Sequence, residues 1–426
     1  MMMESKFLTP CKVNVCSETG RLRAVLLHRP GKEIERMTPL NAAHALYSDI
    51  LDKYTVDTEY SFFSGILERW TNVYYVKDVL EEVMKDDAVK EELVRKSIHH
   101  DQSLRLSPLI GQEKKLTEQL LDLSLPELAR ILIEGYENPS WDGSSDDRYL
   151  LNPLYNLLFT RDASSTVYHQ VLINSMSFEV RERESLIFST IFKHFFKVDT
   201  FNASSVDAGA RTEGGDVQVA SPDLLCLGYG IRTNSIGIEY LAEKFAKERP
   251  KFNILVQELP LKPESFIHLD MVFTFLGQHS CMAFEPMLKK VGLFANKDTT
   301  LISIDNGRIK YRRVNNLLAG LQKLGWEMEP VLCGGHDSWV QLREQWHSGA
   351  NFFALGDQKI VGYRRNIHTI EALNKAGFSI LHAEDIVSGK TNMNDYDKFV
   401  AVFPGAELPR AGGGARCMTM PIWREA

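Results

Sequence analysis

Apolar positions along the chain follow two rhythms. From about residue 38 to 136 they recur at helical spacing: Val79, Leu80, Val83 and Met84 have Glu and Lys between them, and Leu128, Ile131 and Leu132 follow a Ser124-Leu125-Pro126-Glu127 start signal. This pattern predicts a bundle of helices. Glu137 to Arg148, rich in Asn, Pro, Ser, Gly and Asp without apolar periodicity, reads as a linker that closes it. Before the bundle, Arg21 to His28 is a strand candidate, its run Ala24-Val25-Leu26-Leu27 stopped by the breaker pair Arg29-Pro30.

After residue 150 the rhythm changes to short strands and helices, and one unit recurs. Val217 to Val219 and Leu224 to Leu227 flank a Ser-Pro-Asp turn, followed by Gly228-Tyr229, Arg232, Asn234 and an amphipathic helix with Ile238, Leu241 and Phe245. Residues 351 to 377 repeat the plan: Phe352 to Leu355, a Gly356-Asp357 turn, Ile360-Val361, Gly362-Tyr363, Arg364, Asn366 and a helix with Ile370 and Leu373. Residues 162 to 195 give a looser copy, with strands around Val167 and Ile173 and a helix from about Arg181. Such repetition predicts an array of similar α/β units closed into a ring, which leaves no sheet edge unpaired and brings the corners together around a site.

Composition narrows the class. A chain of 426 residues, 44% hydrophobic and 25% charged, can bury a large core. The formal net charge of -7 argues against a nucleic-acid or anionic-membrane surface, so a small or cationic partner is expected. Met1 to Phe7 show no cationic segment leading into an apolar run, and no stretch approaches the length of a membrane span, so a soluble, cytoplasmic protein is expected. The six cysteines are too sparse and irregular for a disulfide scaffold or zinc ribbon. Cys226 and Cys281 lie in apolar strand-like runs and read as buried structural thiols.

Four polar clusters stand at strand ends or turns: Asn156 to Asp162 (NLLFTRD), Glu213 to Asp216 (EGGD), His268 to Asp270 (HLD) and Gly412 to Cys417 (GGGARC). Singly, each has a plain structural reading. Asp162 or Asp270 can be a turn residue, His268 a satisfied core histidine, Gly214-Gly215 a tight turn. The glycines before Cys417 lack the ending of a phosphate loop. Together, three carboxylates, a histidine and a cysteine are what is needed to bind a planar cation and attack it. Two carboxylates match the fixed fork of a guanidinium, and its delocalised carbon demands a nucleophile as strong as a thiolate. Arg416, nearby backbone amides and an incoming cation would each favour the Cys417 thiolate.

The segments FTRD, EGGD, HLD and GARCMTMP resemble those of the arginine deiminases, in the guanidino-group-modifying (pentein) superfamily. The resemblance runs from the early LHRP strand through the helical stretch and the REQW segment (Arg343 to Trp346) to the last dozen residues. It implies a five-bladed α/β propeller in which residues 1–37 and 149–426 form the catalytic propeller and residues 38–148 a mostly helical insertion. Carried over by position, it implies that Cys417 is the nucleophile, His268 the general acid and base, Glu213 and Asp270 its flanking carboxylates, and Asp162 a partner of the guanidinium. Asn156, Arg181 and Arg232 match the positions that hold the substrate α-carboxylate. The chain departs from the family pattern at Gly412, where some members have a second arginine, and at His347 to Ala350, where acidic residues and an Asn are usual.

The reaction so implied is hydrolysis of free L-arginine to L-citrulline and ammonia through an S-alkylthiouronium on Cys417, without metal or organic cofactor, in a protein expected to be a homo-oligomer. Its rivals are a dihydrolase, an amidinotransferase or a deiminase of another guanidine on the same fold; an inactive arginine-binding or regulatory protein; and a metallohydrolase using His268, Asp270, Glu213 and His336, for which no recognisable ligand spacing is present.

Overall fold

Where the sequence places two short apolar runs around a turn, the chain makes an antiparallel hairpin, and the second strand of each hairpin pairs in parallel with a later strand. In the computed structural model, which describes residues 8–103, 112–141, 143 and 148–425, this happens four times in succession. Ser164–Val167 and Gln170–Ile173 are followed by Thr200–Phe201. Val217–Ser221 and Leu224–Tyr229 are followed by Lys251–Glu258. Phe273–Gly277 and Ser280–Ala283 are followed by Glu329–Leu332, and Phe353–Gly356 and Lys359–Tyr363 by Phe399–Phe403.

A fifth sheet has the same pairing but draws on both ends of the chain. Met420–Arg424 runs antiparallel to Leu22–Leu27, which runs parallel to Asn72–Tyr75. Helices occupy the parallel connections, among them Lys53–Trp70, Glu179–Thr190, Ser235–Glu248 and Ile367–Lys375. Strands covered on both faces need apolar residues throughout, which is why Leu224–Tyr229 and Phe399–Phe403 read as continuous apolar runs rather than alternations. The second of these sheets is extended, beyond Lys251–Glu258, by Thr299–Asp305 and Arg308–Val314. Its outermost strand exposes Arg308, Lys310, Arg312 and Arg313, charges that discourage edge-to-edge pairing.

The helical stretch forms Lys53–Trp70, Val76–Val83, Asp87–Ser103, Gln112–Leu121 and Leu125–Glu134. The first begins where Asp52 accepts from the Thr55 amide at 2.9 Å, and the last ends at Gly135 with φ of 86°, a left-handed stop suited to glycine. These helices share the core of the sheets. Val79, Leu80, Leu128 and Leu132 pack in one cluster with Ala24, Leu26, Met420 and Ile422, while Phe63, Ile66 and Leu67 pack in another with Val25, Leu27, Phe353 and Phe403. The expected linker begins and ends in a small ladder, Tyr136–Glu137 against Tyr149–Leu151; residues 142 and 144–147 lie outside the described residues. No helix among the described residues is long and apolar enough to cross a membrane.

Candidate active site

Each of the five sheets carries its polar residues just before its first strand. Asp162 precedes Ser164–Val167, Glu213 and Asp216 precede Val217–Ser221, His268 and Asp270 precede Phe273–Gly277, Asn351 precedes Phe353–Gly356, and Cys417 precedes Met420–Arg424. Several of these residues sit on short turns that aim them inward: Gly214–Asp216 and Leu269–Met271 are 3-10 turns flanked by Glu213 and His268, and Met418 N donates to Gly414 O across the turn that holds Cys417.

The glycines of EGGD are explained by space. A Cβ on Gly214 would collide with the Arg161 carbonyl and one on Gly215 with the His268 ring. A third glycine, Gly228, leaves room for the Asp216 carboxylate, which accepts from the Leu269 amide at 2.9 Å and so fixes the backbone beside His268.

Asn156, Asp162, Arg181, Arg232, His268 and Cys417 line one cavity of about 470 Å³, with Phe159, Phe178, Ile231 and Met271 supplying apolar walls. Glu213 and Asp270 stand directly behind these residues, fully buried. Every sequence-predicted site residue is therefore in or against this cavity. Cys417 Sγ lies 3.8 and 3.9 Å from the Asp270 carboxylate oxygens and 3.2 Å from Asn351 Nδ2. His268 Nε2 is 3.0 Å from Glu213 Oε2, and its Nδ1 is 3.8 Å from Asp162 Oδ1.

Burial acts most strongly on the His268 pKa and would lower it, but the charge of Asp162, the hydrogen bond His268 donates to Glu213 and the charge of Asp216 outweigh it and hold the imidazolium up to about 9. Burial likewise would raise Glu213, yet Arg232 and His268 bring its pKa down. For Cys417, burial and the charges of Asp270 and Asp162 act together and push the thiol well above its ordinary value. Asp270 is raised by its own burial against the pull of Arg416. These directions favour a thiol at Cys417 and an imidazolium at His268.

The structure gives these side chains partners that the sequence does not show. Arg416 does not reach past its own backbone to the Cys417 sulfur: its fork donates to Asp270 Oδ2 at 2.8 Å and to both oxygens of the buried Glu18 at 3.1 Å, so its main charge partners are carboxylates. Arg181 is occupied by Asp162 at 2.7 Å and Glu184 at 2.8 Å, and Arg232 by Glu213 at 3.1 Å, although the buried Arg232 Nε has no partner. Asp162 Oδ1 is also buried and accepts no hydrogen bond, its nearest charged neighbour being His268 Nδ1 at 3.8 Å. The His347 to Ala350 loop meets the site through its neighbours: Trp346 lines the cavity and Asn351 touches the sulfur. Gly412, at φ of 92°, also lines the cavity in a left-handed conformation that glycine adopts without strain.

Asn351, Glu18 and Asp216 were not singled out by sequence. Asn351 had a signal, since it opens the repeat at 351 to 377 in the place that Asp162 holds in its own unit; Glu18 had none, because its contact with Arg416 spans almost the whole chain. Ligand atoms of Asp162, Glu213 and His268 lie within 4.8 Å of one another, close enough to hold a metal ion, but two of the three already face a guanidinium.

A model of the arginine deiminase family matches residues 44–424. Curated relatives named arginine deiminase include those of Borrelia duttonii (strain Ly), 30% identical with 99% of each chain covered, and Clostridium perfringens (strain SM101 / Type A), 30% identical with 97% of this chain and 98% of the relative covered. Among solved structures, the chain is similar in fold to an amidinotransferase from Microseira wollei, with a TM-score of 0.52, 13% identity and 98% of each chain covered. It is also similar to the product-bound N-terminal domain of a cyanobacterial arginine dihydrolase, with a TM-score of 0.50, 12% identity, and 94% and 97% coverage. The full-length relatedness, with the shared α/β architecture, places the chain in the arginine deiminase family.

Proposed function

We propose that the protein is an arginine deiminase that converts free L-arginine and water to L-citrulline and ammonia. The observation that carries the reading is the meeting of Cys417, His268, Asp162, Asp270 and Glu213 in or behind one buried cavity. The arginine guanidinium sits between Asp162 and Asp270, its charge offsets theirs, and the Cys417 proton leaves to solvent. The thiolate adds to the guanidinium carbon. The His268 imidazolium, kept protonated at neutral pH by its carboxylates, gives its proton to one nitrogen, which departs as ammonia and leaves an S-alkylthiouronium. Neutral His268 then takes a proton from water as its oxygen adds to the same carbon. The remaining hydroxyl proton leaves to solvent as the intermediate collapses, which breaks the C–S bond, returns the thiolate and releases citrulline. Arg232 and Arg181, with Asn156, face the other end of the substrate.

In the same reading the five sheets close into a five-bladed propeller, with residues 38–148 inserted between residues 1–37 and 149–426. The sheet built from both chain ends supports this, because it supplies the fifth unit of identical pairing.

Incubation with L-arginine and identification of products by mass tests the proposal. Citrulline with one ammonia supports it; ornithine with two, transfer of the amidino group to an added amine, or binding without turnover would each replace it by a rival. The Asp162, Glu213 and His268 cluster motivates one further reading, a metallohydrolase, which predicts loss of activity in a chelator.

A further inference from the structure

We infer that Asn351 is a positioning residue for the nucleophile, its amide holding the Cys417 turn in place and donating a hydrogen bond to the attacking sulfur. This rests on the deiminase reading for the role of the sulfur, not for its geometry. An asparagine side chain has two donor hydrogens and one acceptor oxygen, and all are used here. Oδ1 accepts from Arg416 N at 2.9 Å and Cys417 N at 3.2 Å, while Nδ2 donates to Asp270 O at 3.2 Å and lies 3.2 Å from Cys417 Sγ. The orientation is dictated by the partners. Flipping the amide would aim donors at two backbone N–H groups and its oxygen at a carbonyl. Gly414 belongs to the same device, since a Cβ there would press on the Asn351 side chain.

The sulfur needs such a donor. Burial and the negative charges of Asp270 and Asp162 outweigh what the Gly414 backbone and the Arg416 charge do for the thiolate, and the Arg416 guanidinium is itself paired with Asp270 and Glu18. His268 shares the cavity but is hydrogen-bonded to Glu213. Asn351 Nδ2 is the nearest side-chain donor to the sulfur among the described residues, and it is held 1% exposed, where a hydrogen bond to an anion is strengthened by the low dielectric. It ties the backbone of Asp270 to those of Arg416 and Cys417, so one side chain sets both the distance of Sγ from Asp270 and the ease of making the thiolate.

The test is the pH dependence of Cys417 alkylation by iodoacetamide, followed by the mass of its peptide, in wild type, Asn351→Ala and Asn351→Asp. Alanine removes the donor without adding charge; aspartate keeps the acceptor and replaces the donor by an oxygen. Loss of one hydrogen bond to an anion is expected to move the alkylation midpoint up by about one to two pH units, and to slow alkylation at a fixed pH below it by about 10- to 100-fold. The aspartate should shift further, and kcat should fall more than KM rises. Midpoints equal to wild type in both variants would overturn the inference and leave Asn351 as scaffolding. If the alanine variant does not fold, the aspartate variant decides by the same measurement. Alkylation needs no substrate, so a wild-type protein that releases no citrulline sinks the deiminase reading alone, and citrulline release with unshifted midpoints sinks this inference alone.

Discussion

In and behind the inner wall of the cavity, Arg181, Arg232 and Arg416 and the carboxylates that hold them have side chains at most 9% exposed, whereas at the mouth Arg410 and its partner Asp49 are 37% and 51% exposed. The same ion-pair chemistry has a different weight in the two places. Removing one member of a buried pair strands a charge in a poor solvent and costs roughly 3–5 kcal/mol, while an exposed pair contributes about 0–1 kcal/mol. The inner charges are therefore a fixed framework into which a cation must fit, and the mouth is free to vary. That is where the chain departs from the family pattern at Gly412.

The comparison is sharpest at the nucleophile. Cys226, Cys281 and Cys333 are buried too, and burial raises their thiols, Cys333 to about 12, but they pack in strands or cores with no carboxylate pair opposite them in the cavity. Cys417→Ser is expected to lower turnover by about 10⁴-fold or more while arginine still binds, because a neutral hydroxyl replaces a thiolate. A trapped wild-type intermediate should carry its added mass on the Cys417 peptide; mass on any of the other three would break the distinction.

His268→Ala should slow each half-reaction by about 10² to 10⁴. The proton it donates is held up to about 9, so the first half-reaction should fade as pH rises through that value. The same linkage acts on stability. A folded-state pKa of about 9 above the ordinary 6.5 gives a contribution complete below pH 6.5 and lost as pH climbs through 9, which thermal melts of wild type and His268→Ala across this range would show as a converging difference. A constant difference would mean that His268 is not the group responsible.

Two members of that framework, Arg181 and Arg232, form the proposed α-carboxylate end. Arg232 retains a buried Nε without a partner, whereas the fork of Arg181 is filled by Glu184 and Asp162. Agmatine, which lacks the carboxylate, should react with kcat/KM lower than arginine by about 10³, two charge-assisted hydrogen bonds at roughly 1.5–3 kcal/mol each being lost. Arg232→Ala should narrow this gap by damaging the arginine reaction, and more than Arg181→Ala does. Equal use of agmatine by the wild type would remove the clamp.

How much of this was legible follows from the range of each contact. The hairpin, Gly-Arg corner and helix at 217–248 and 353–375 were visible because turns and helix periodicity are local, and the strands Val217–Ser221 and Lys359–Tyr363 fall where the pattern puts them. The pairing of Leu22–Leu27 with Met420–Arg424 was not, since nothing in either strand encodes its partner. At the site, residue types announced the chemistry, and the structure adds direction: Arg416 and the Gly414 backbone do pull the Cys417 thiol down, as their places in the sequence suggest, but they are outweighed by burial and by Asp270 and Asp162, and the Arg416 guanidinium makes its ion pairs with Asp270 and Glu18. The EGGD glycines read as a turn; their second reason, room for the Arg161 carbonyl and for His268, depends on segments far away. Gly215→Ala tests that reason. Its methyl would displace the imidazole from Glu213 and should cost about 10-fold in kcat, with His268 still present to titrate.

The smallest effect is expected at the mouth. Arg410 lines the cavity, pairs with Asp49 and donates also to Glu407 at 2.5 Å, so it bridges the loop before Gly412 to the segment that begins the helical stretch. Position alone would make it a candidate to replace the arginine missing at 412. Its exposure argues otherwise, because water screens both pairs and the loop is already anchored by buried Glu59, which accepts from the amides of Ala406, Glu407 and Leu408. Arg410→Ala should therefore change stability by no more than about 1 kcal/mol and kcat/KM for arginine by no more than about fivefold, with the small change vanishing in high salt. A loss of 100-fold, persisting in salt, would show that the mouth holds a charge as essential as those of the inner wall, and would transfer to Arg410 the function that Gly412 cannot perform.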